Sequence, residues 1–133
     1  MKEVMAIIRF NMMNVTKRAL SDAGFYSLTT LKVMGRGKGN VDYFILKGAE
    51  GGQEEAVSQL SSSPKLVPKR LITLVVPDDQ AKNVVKAILE VNQTGKKGDG
   101  KIFILPVADA VRVRTGETGE KAIDNVVEAA GVK

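Results

Sequence analysis

Apolar positions alternate at the start of the chain. Val4, Ala6 and Ile8 share one parity, with Ile7 on the other, which predicts a strand over 2–9 buried on at least one face. The period then lengthens. Val15, Ala19, Leu20 and Ala23 recur at helical spacing, Asn11 or Asn14 is placed to cap the helix, and Gly24 to end it. Phe25 to Met34, rich in Leu, Thr and Val, reads as a second strand. A third follows over Val67–Val76, with little polar relief. Pro77-Asp78-Asp79 then opens a second helix, with Asp78 as the expected cap and Ala81, Val84, Val85, Ile88 and Leu89 as its apolar stripe; Gly95 ends it. Lys101–Val107 reads as a fourth strand, and Ala110–Arg114 as extended chain after a break. Ala122, Ile123, Val126, Val127 and Ala130 predict a short C-terminal helix.

The order is strand, helix, strand, strand, helix, strand. That is the ferredoxin-like βαββαβ arrangement, an α+β fold with an antiparallel sheet, and the length suits a single domain over 1–133. The long connection, about 36–66, has a different composition. Gly35-Arg36-Gly37-Lys38-Gly39-Asn40 opens it, and Gly48, Gly51, Gly52, three consecutive serines and Pro64 punctuate it, with room for a short helix over Glu54–Leu60. A connection of about thirty residues is well above the usual length in a compact domain, so a functional or disordered loop is expected. The tail is taken as about 118–133.

Composition narrows the chemistry. The chain has no cysteine and no histidine, which removes thiolate metal sites, cysteine nucleophiles, Ser-His-Asp chemistry and the commonest metal ligand. A reducing, cytoplasmic setting is expected. The opening MKEVMAIIRF has only a few apolar residues in a row and contains Glu3, so it reads as neither a signal peptide nor a membrane span. A net charge of +5 suits phosphate-bearing small molecules as well as nucleic acid. Aromatic residues make up 5% and do not interleave with basic ones, so nucleic acid is not expected as a partner.

Three segments could carry chemistry. In Thr94–Phe103 (TGKKGDGKIF), Gly95, Gly98 and Gly100 free the backbone so that N–H groups can converge on an anion, while Lys96, Lys97 and Lys101 add charge. The plainer alternative is a helix C-cap followed by a basic turn. Arg112 and Arg114 lie two apart, so on extended chain both guanidinium groups share a face and can grip phosphate; the alternative is an exposed strand with solvated arginines. Gly35-Arg36-Gly37-Lys38-Gly39 follows a strand, but no helix follows at once, so a hinge at the loop base is preferred to a dinucleotide fingerprint. Acidic residues form no persuasive catalytic pair. Asp78 and Asp79 fit helix capping, and Asp99 can stabilise the glycine turn itself.

Taken together, these residues resemble the PII family of nitrogen signal proteins, from Met1 to about Glu117. The family's signature asks for Ser or Thr, three residues, G-D-G-K, Ile or Val, then Phe or Trp. Thr94, Gly98, Asp99, Gly100, Lys101, Ile102 and Phe103 satisfy it. The resemblance implies a signalling protein rather than an enzyme, a homotrimer, and ATP or ADP in clefts between subunits, with magnesium accompanying ATP. Gly98, Asp99, Gly100 and Lys101 would cradle the phosphates. Lys101, Arg112 and Arg114 would supply charge, at least one arginine coming from a neighbouring subunit. Gly35, Gly37 and Lys38 would close the site, and Ile7, Thr29 and Val75 would line its adenine and ribose end. The long connection would be the family's T-loop, with Tyr43, Lys47, Glu54 and Glu55 as partner-binding candidates.

Two departures stand out. Lys69 matches the family's lysine for 2-oxoglutarate, but Gly39 stands where members that bind this effector place a glutamine. Gly51 stands where many bacterial members carry a modifiable tyrosine, and roughly a dozen extra residues follow. The enlarged loop is similar to that of the nitrogenase-regulating branch, and in particular of the second of two PII-like proteins that act as a pair. That implies a sister PII-like protein as partner, in a hetero-oligomer, and the nitrogenase catalytic component as target. The competing readings are a general PII regulator of an ammonium channel or of glutamine metabolism, and more remotely a small ferredoxin-fold acyl-phosphate hydrolase. The latter would need an anion-holding loop where this chain has Phe10-Asn11-Met12-Met13.

Overall fold

The structure is a computed structural model that describes residues 1–37 and 65–125. Four strands, β1 (Lys2–Arg9), β2 (Thr29–Gly35), β3 (Val67–Val76) and β4 (Gly100–Pro106), form one antiparallel sheet in the order β2-β3-β1-β4. Helices α1 (Met13–Asp22) and α2 (Ala81–Asn92) each begin with a 3-10 turn and pack on one face of the sheet. This is the ferredoxin-like α+β fold expected from the element order.

Directly paired residues in an antiparallel sheet point to the same face. The register Ala6 opposite Ile72 and Val4 opposite Leu74 therefore puts Val4, Ala6, Ile8, Ile72, Leu74 and Val76 together under the helices, where all are buried. Leu20, Phe25, Val84 and Ile88 close the core from above. Full burial of each large apolar side chain contributes about 1.5–3 kcal/mol, so the alternation seen in the sequence is what fixes the sheet's inner face.

Several local expectations are corrected. No side chain caps α1 at its N-cap, so neither Asn11 nor Asn14 does so; the preceding 3-10 turn supplies the helix start. The helix face that is buried centres on Thr16 and Leu20, while Val15 and Ala23 are exposed. Asp78 likewise is no cap: its carboxylate lies 2.9 Å from the Met1 amino group, a pairing that pulls the Asp78 pKa down. Leu89 is exposed, and Ala87 and Asn92 take its place on the buried stripe of α2. Asn92 is buried because Nδ2 donates to Thr16 Oγ1 and to the Ile88 carbonyl, and Thr16 Oγ1 in turn donates to the Met12 carbonyl.

Gly24 ends α1 as expected. It has φ 95°, its N–H donates to the Ser21 carbonyl, and Phe25 N–H donates to the Leu20 carbonyl, a pair of bonds that closes a left-handed C-terminus. The turn drops Phe25 into the core, so β2 starts at Thr29 rather than at Phe25. After β4 the expected helix is absent among the described residues: Gly119–Ala122 is one 3-10 turn and Ile123 is extended. Val126, Val127 and Ala130 lie outside the described residues, as does the short helix expected over Glu54–Leu60.

Candidate functional site

The glycine run forms a tight connection between α2 and β4. Gly95, Gly98 and Gly100 have φ of 84°, 99° and 119°, a region that side chains with a Cβ rarely enter. Gly100 is demanded twice over, because a Cβ there would lie 1.9 Å from the Ile7 carbonyl oxygen on the adjacent strand. Asp99 holds the turn from inside. Its Oδ2 accepts from the N–H groups of Thr94 (2.8 Å) and Gly95 (2.9 Å), and its Oδ1 accepts from Thr94 Oγ1 (2.6 Å) and Arg9 Nη1 (2.5 Å). Hydrogen bonds from Thr94 first, with Arg9 and Gly95 adding to them, keep this carboxyl well below the usual carboxylate range. The amides of Thr94 and Gly95 are therefore spent on Asp99, and the part of the turn left to face a ligand is Gly98–Lys101. Asp99 buttresses the turn, which answers one of its two expected roles.

Two further cations tie the turn to the sheet. Arg9, at the end of β1, donates from Nη2 to the Lys97 carbonyl (3.1 Å). Lys69, opposite Arg9 on β3, donates from Nζ to the Gly98 carbonyl (3.0 Å). Burial, and then the nearby Arg9 charge, push the Lys69 pKa down, with Asp99 opposing.

Beside the turn lies a cleft of about 350 Å³. Ile7 and Phe103 give it an apolar wall; Gly35, Gly37, Gly98 and Gly100 expose backbone along it. Arg36, Lys69, Lys97 and Lys101 line it with positive charge. Among the described residues no carboxylate lines the cleft, and Asp99 in the adjoining turn is paired with Arg9. Such a cleft favours a polyanion with an apolar or aromatic portion. Ile7, Gly35, Gly37, Lys69, Gly98, Gly100 and Lys101 were expected at a site and are brought together here. Lys97, expected to add charge around the turn, also lines the cleft, whereas Arg9 and Arg36 were not given a role of their own. Their signal was parity and position: Arg9 shares the parity of Ile7 at a strand end, and Arg36 sits inside the first glycine run.

Thr29 and Val75 lie elsewhere. They line a second cleft of about 330 Å³ with Glu3, Thr73 and the segment Ala122–Asn125, and the two clefts share no lining residue. Thr73 Oγ1 donates to Glu3 Oε2 at 2.5 Å. Asn125 is 3% exposed; its Oδ1 accepts from Ser27 N–H at 2.9 Å and its Nδ2 donates to the Ser27 carbonyl. Arg112 and Arg114 do not share the face of an extended strand. Val111 bridges Thr118, Gly116 N–H donates to the Arg112 carbonyl, and 113–115 form a turn. The Arg112 guanidinium pairs with Glu117 (3.0 Å) and Asp124 (2.8 Å), whereas Arg114 is exposed. Neither arginine lines the first cleft. Lys38, Gly39, Tyr43, Lys47, Glu54 and Glu55 lie outside the described residues.

Among the described residues no group of three or more acidic, Cys or His side chains could hold a metal ion, and no helix is long and apolar enough to cross a membrane.

Comparison with known proteins gives the family. Residues 1–117 match the family Nitrogen regulatory protein P-II. A nitrogen fixation nifHD region GlnB-like protein 2 of Methanobacterium ivanovii is 48% identical over 128 residues, covering 92% of this chain and 99% of that protein. A protein of the same description from Methanothermococcus thermolithotrophicus is 47% identical over 134 residues, covering 94% of this chain and all of the relative. The crystal structure of Arabidopsis thaliana PII bound to citrate superposes with a TM-score of 0.68 at 33% identity, covering 96% of this chain and 92% of that one. Proteins of this family are signalling regulators and not enzymes. A ferredoxin-like fold, the TGKKGDGKIF turn with its cationic cleft, and matches along most of the chain establish that this protein belongs to the P-II family of nitrogen regulatory proteins.

Proposed function

We propose that the chain is a nucleotide-sensing regulator of nitrogen fixation that binds ATP or ADP in the cleft beside Gly98–Lys101. The observation that carries this reading is the convergence of Arg36, Lys69, Lys97 and Lys101 on a cleft walled by Ile7 and Phe103. Phosphates meet the cations and the free backbone of the turn, and the base lies toward the apolar wall. Magnesium arriving with ATP would be held through the phosphates, since the described residues offer no carboxylate cluster for it.

A trimer is part of this proposal. The sheet face away from the helices carries apolar side chains that the protomer does not cover: Leu31 is 58% exposed, Phe103 45% and Leu105 37%. A subunit packed there would bring its own Thr29, Val75 and Arg112 toward the Gly98 cleft and complete the site. That accounts for finding the two sets in separate clefts of one chain.

Arg36 and Gly37 belong both to the cleft and to the root of the 36–66 connection. Bound nucleotide can therefore bias the conformation of that loop, which would act as the T-loop and contact the nitrogenase catalytic component. For 2-oxoglutarate the chain is poorly equipped by itself: Gly39 has no side chain to offer, and Lys69 is engaged with Gly98. A sister PII-like subunit would supply the missing ligand. Calorimetry with ATP, ADP and 2-oxoglutarate, with and without the sister protein, tests both parts. The account expects nucleotide binding by the chain alone and 2-oxoglutarate binding only in the mixed oligomer. Micromolar 2-oxoglutarate binding by the chain alone with magnesium and ATP would remove the need for a sister subunit.

A further inference from the structure

The Arg9 guanidinium touches the glycine turn on both sides of Gly98. Nη1 meets Asp99 Oδ1 and Nη2 meets the Lys97 carbonyl, so Gly98 is bracketed between two contacts from one planar group. Packing makes the bracket tight: a Cβ on Gly98 would come within 3.4 Å of Nη2. The guanidinium is rooted in the sheet, because Arg9 is the last residue of β1 and pairs across to Lys69, whose own Nζ holds the Gly98 carbonyl. The partner carboxylate is fixed by three more donors from Thr94 and Gly95.

There is also an electrostatic reason for such a group. Asp99 sits within a turn proposed to receive phosphate, and hydrogen bonds from Thr94, Arg9 and Gly95 favour its charged form. An unpaired carboxylate there would repel a polyanion. Arg9 cancels that charge without itself lining the cleft.

We propose that Arg9 is the positioning residue of the anion-binding turn: through Asp99 and the Lys97 carbonyl it fixes the Gly98–Lys101 backbone on the end of β1 and masks the Asp99 charge, so that the turn accepts a nucleotide polyphosphate. This rests on the nucleotide reading above. Its signature is a loss that grows with the number of phosphates. A purely structural role would weaken every ligand alike.

The test compares ATP, ADP and adenosine binding to wild-type protein and to Arg9→Ala, Arg9→Lys and Arg9→Ala/Asp99→Asn by calorimetry, with thermal unfolding in parallel. Arg9→Ala is expected to weaken ATP about tenfold or more, ADP less, and adenosine little. Arg9→Lys, which can reach only one of the two acceptors at a time, is expected to recover part of the loss. The double variant, with no charge left to mask, is expected to bind ATP more tightly than Arg9→Ala. Equal ATP affinity in wild type and Arg9→Ala, or equal losses for ATP and adenosine, overturns the inference while leaving the nucleotide reading intact. A wild-type protein that binds neither ATP nor ADP overturns that reading, and the phosphate role of Arg9 with it.

Discussion

The cleft at Gly98–Lys101 and the cleft at Thr29 and Val75 are held by different kinds of contact. The first is local at its heart: Asp99 bonds Thr94 and Gly95, five and four residues away, and three glycines take φ values that need no Cβ. The second is assembled across the chain: Asn125 bonds Ser27, 98 residues earlier, and Arg112 bonds Asp124. A local turn leaves its residues in one readable run. A long-range clasp leaves an asparagine and an aspartate in an unremarkable tail.

The largest expected effect separates the two regions directly. Gly100→Ala forces a Cβ onto the Ile7 carbonyl, so it is expected to cost on the order of 3–4 kcal/mol and to abolish the first cleft. The thermal unfolding midpoint and nucleotide titration check this. Next, Asn125→Ala leaves both backbone polar groups of Ser27 without their partner, at a cost of about 1–3 kcal/mol. Hydrogen exchange should show faster opening at Ser27 with Thr94 and Gly95 unchanged; coupled loosening of both regions would mean that the clefts are not independent.

Thr16→Val tests the frame beneath both. It removes one of the two acceptors of buried Asn92 Nδ2, and about 1–2 kcal/mol should be lost in denaturant unfolding with nucleotide affinity retained. Asp124→Asn is expected to change stability by less than about 1 kcal/mol, because the pair with Arg112 is largely solvated on the aspartate side.

The pH dependence also falls unevenly. Asp99 has its folded pKa depressed, so its contribution to stability is complete above the ordinary aspartate value near 4 and is lost only as pH falls toward its lowered folded value. The turn amides should therefore stay protected at pH 4–5. Loss of protection at Thr94 and Gly95 in that range would show that Asp99 is not held as described.

What the sequence disclosed follows the same division. Period-two alternation in β1 and the apolar run Val67–Val76 located the inner strands, since burial leaves a composition that a solvated segment cannot copy. Gly95, Gly98 and Gly100 were legible because backbone strain demands glycine. The helix caps, Asn11 or Asn14 and Asp78, were misread because 3-10 turns replaced side-chain caps. Arg112 and Arg114 were misread because period-two logic holds only for extended chain, and the Val111–Thr118 bridge folds this segment back. Arg9 was passed over because its partners, Lys97 and Asp99, lie 88 and 90 residues away.

The central claim is that phosphate is received by the glycine turn and its cations. The direct measurement is calorimetric titration of ATP into wild-type protein and into Lys101→Ala. Lys101 lines the cleft at the start of β4 and is exposed, so its truncation should leave the fold intact. The account predicts at least about a tenfold loss of ATP affinity, the scale of one charge-assisted contact to phosphate. Unchanged ATP affinity in Lys101→Ala would contradict it.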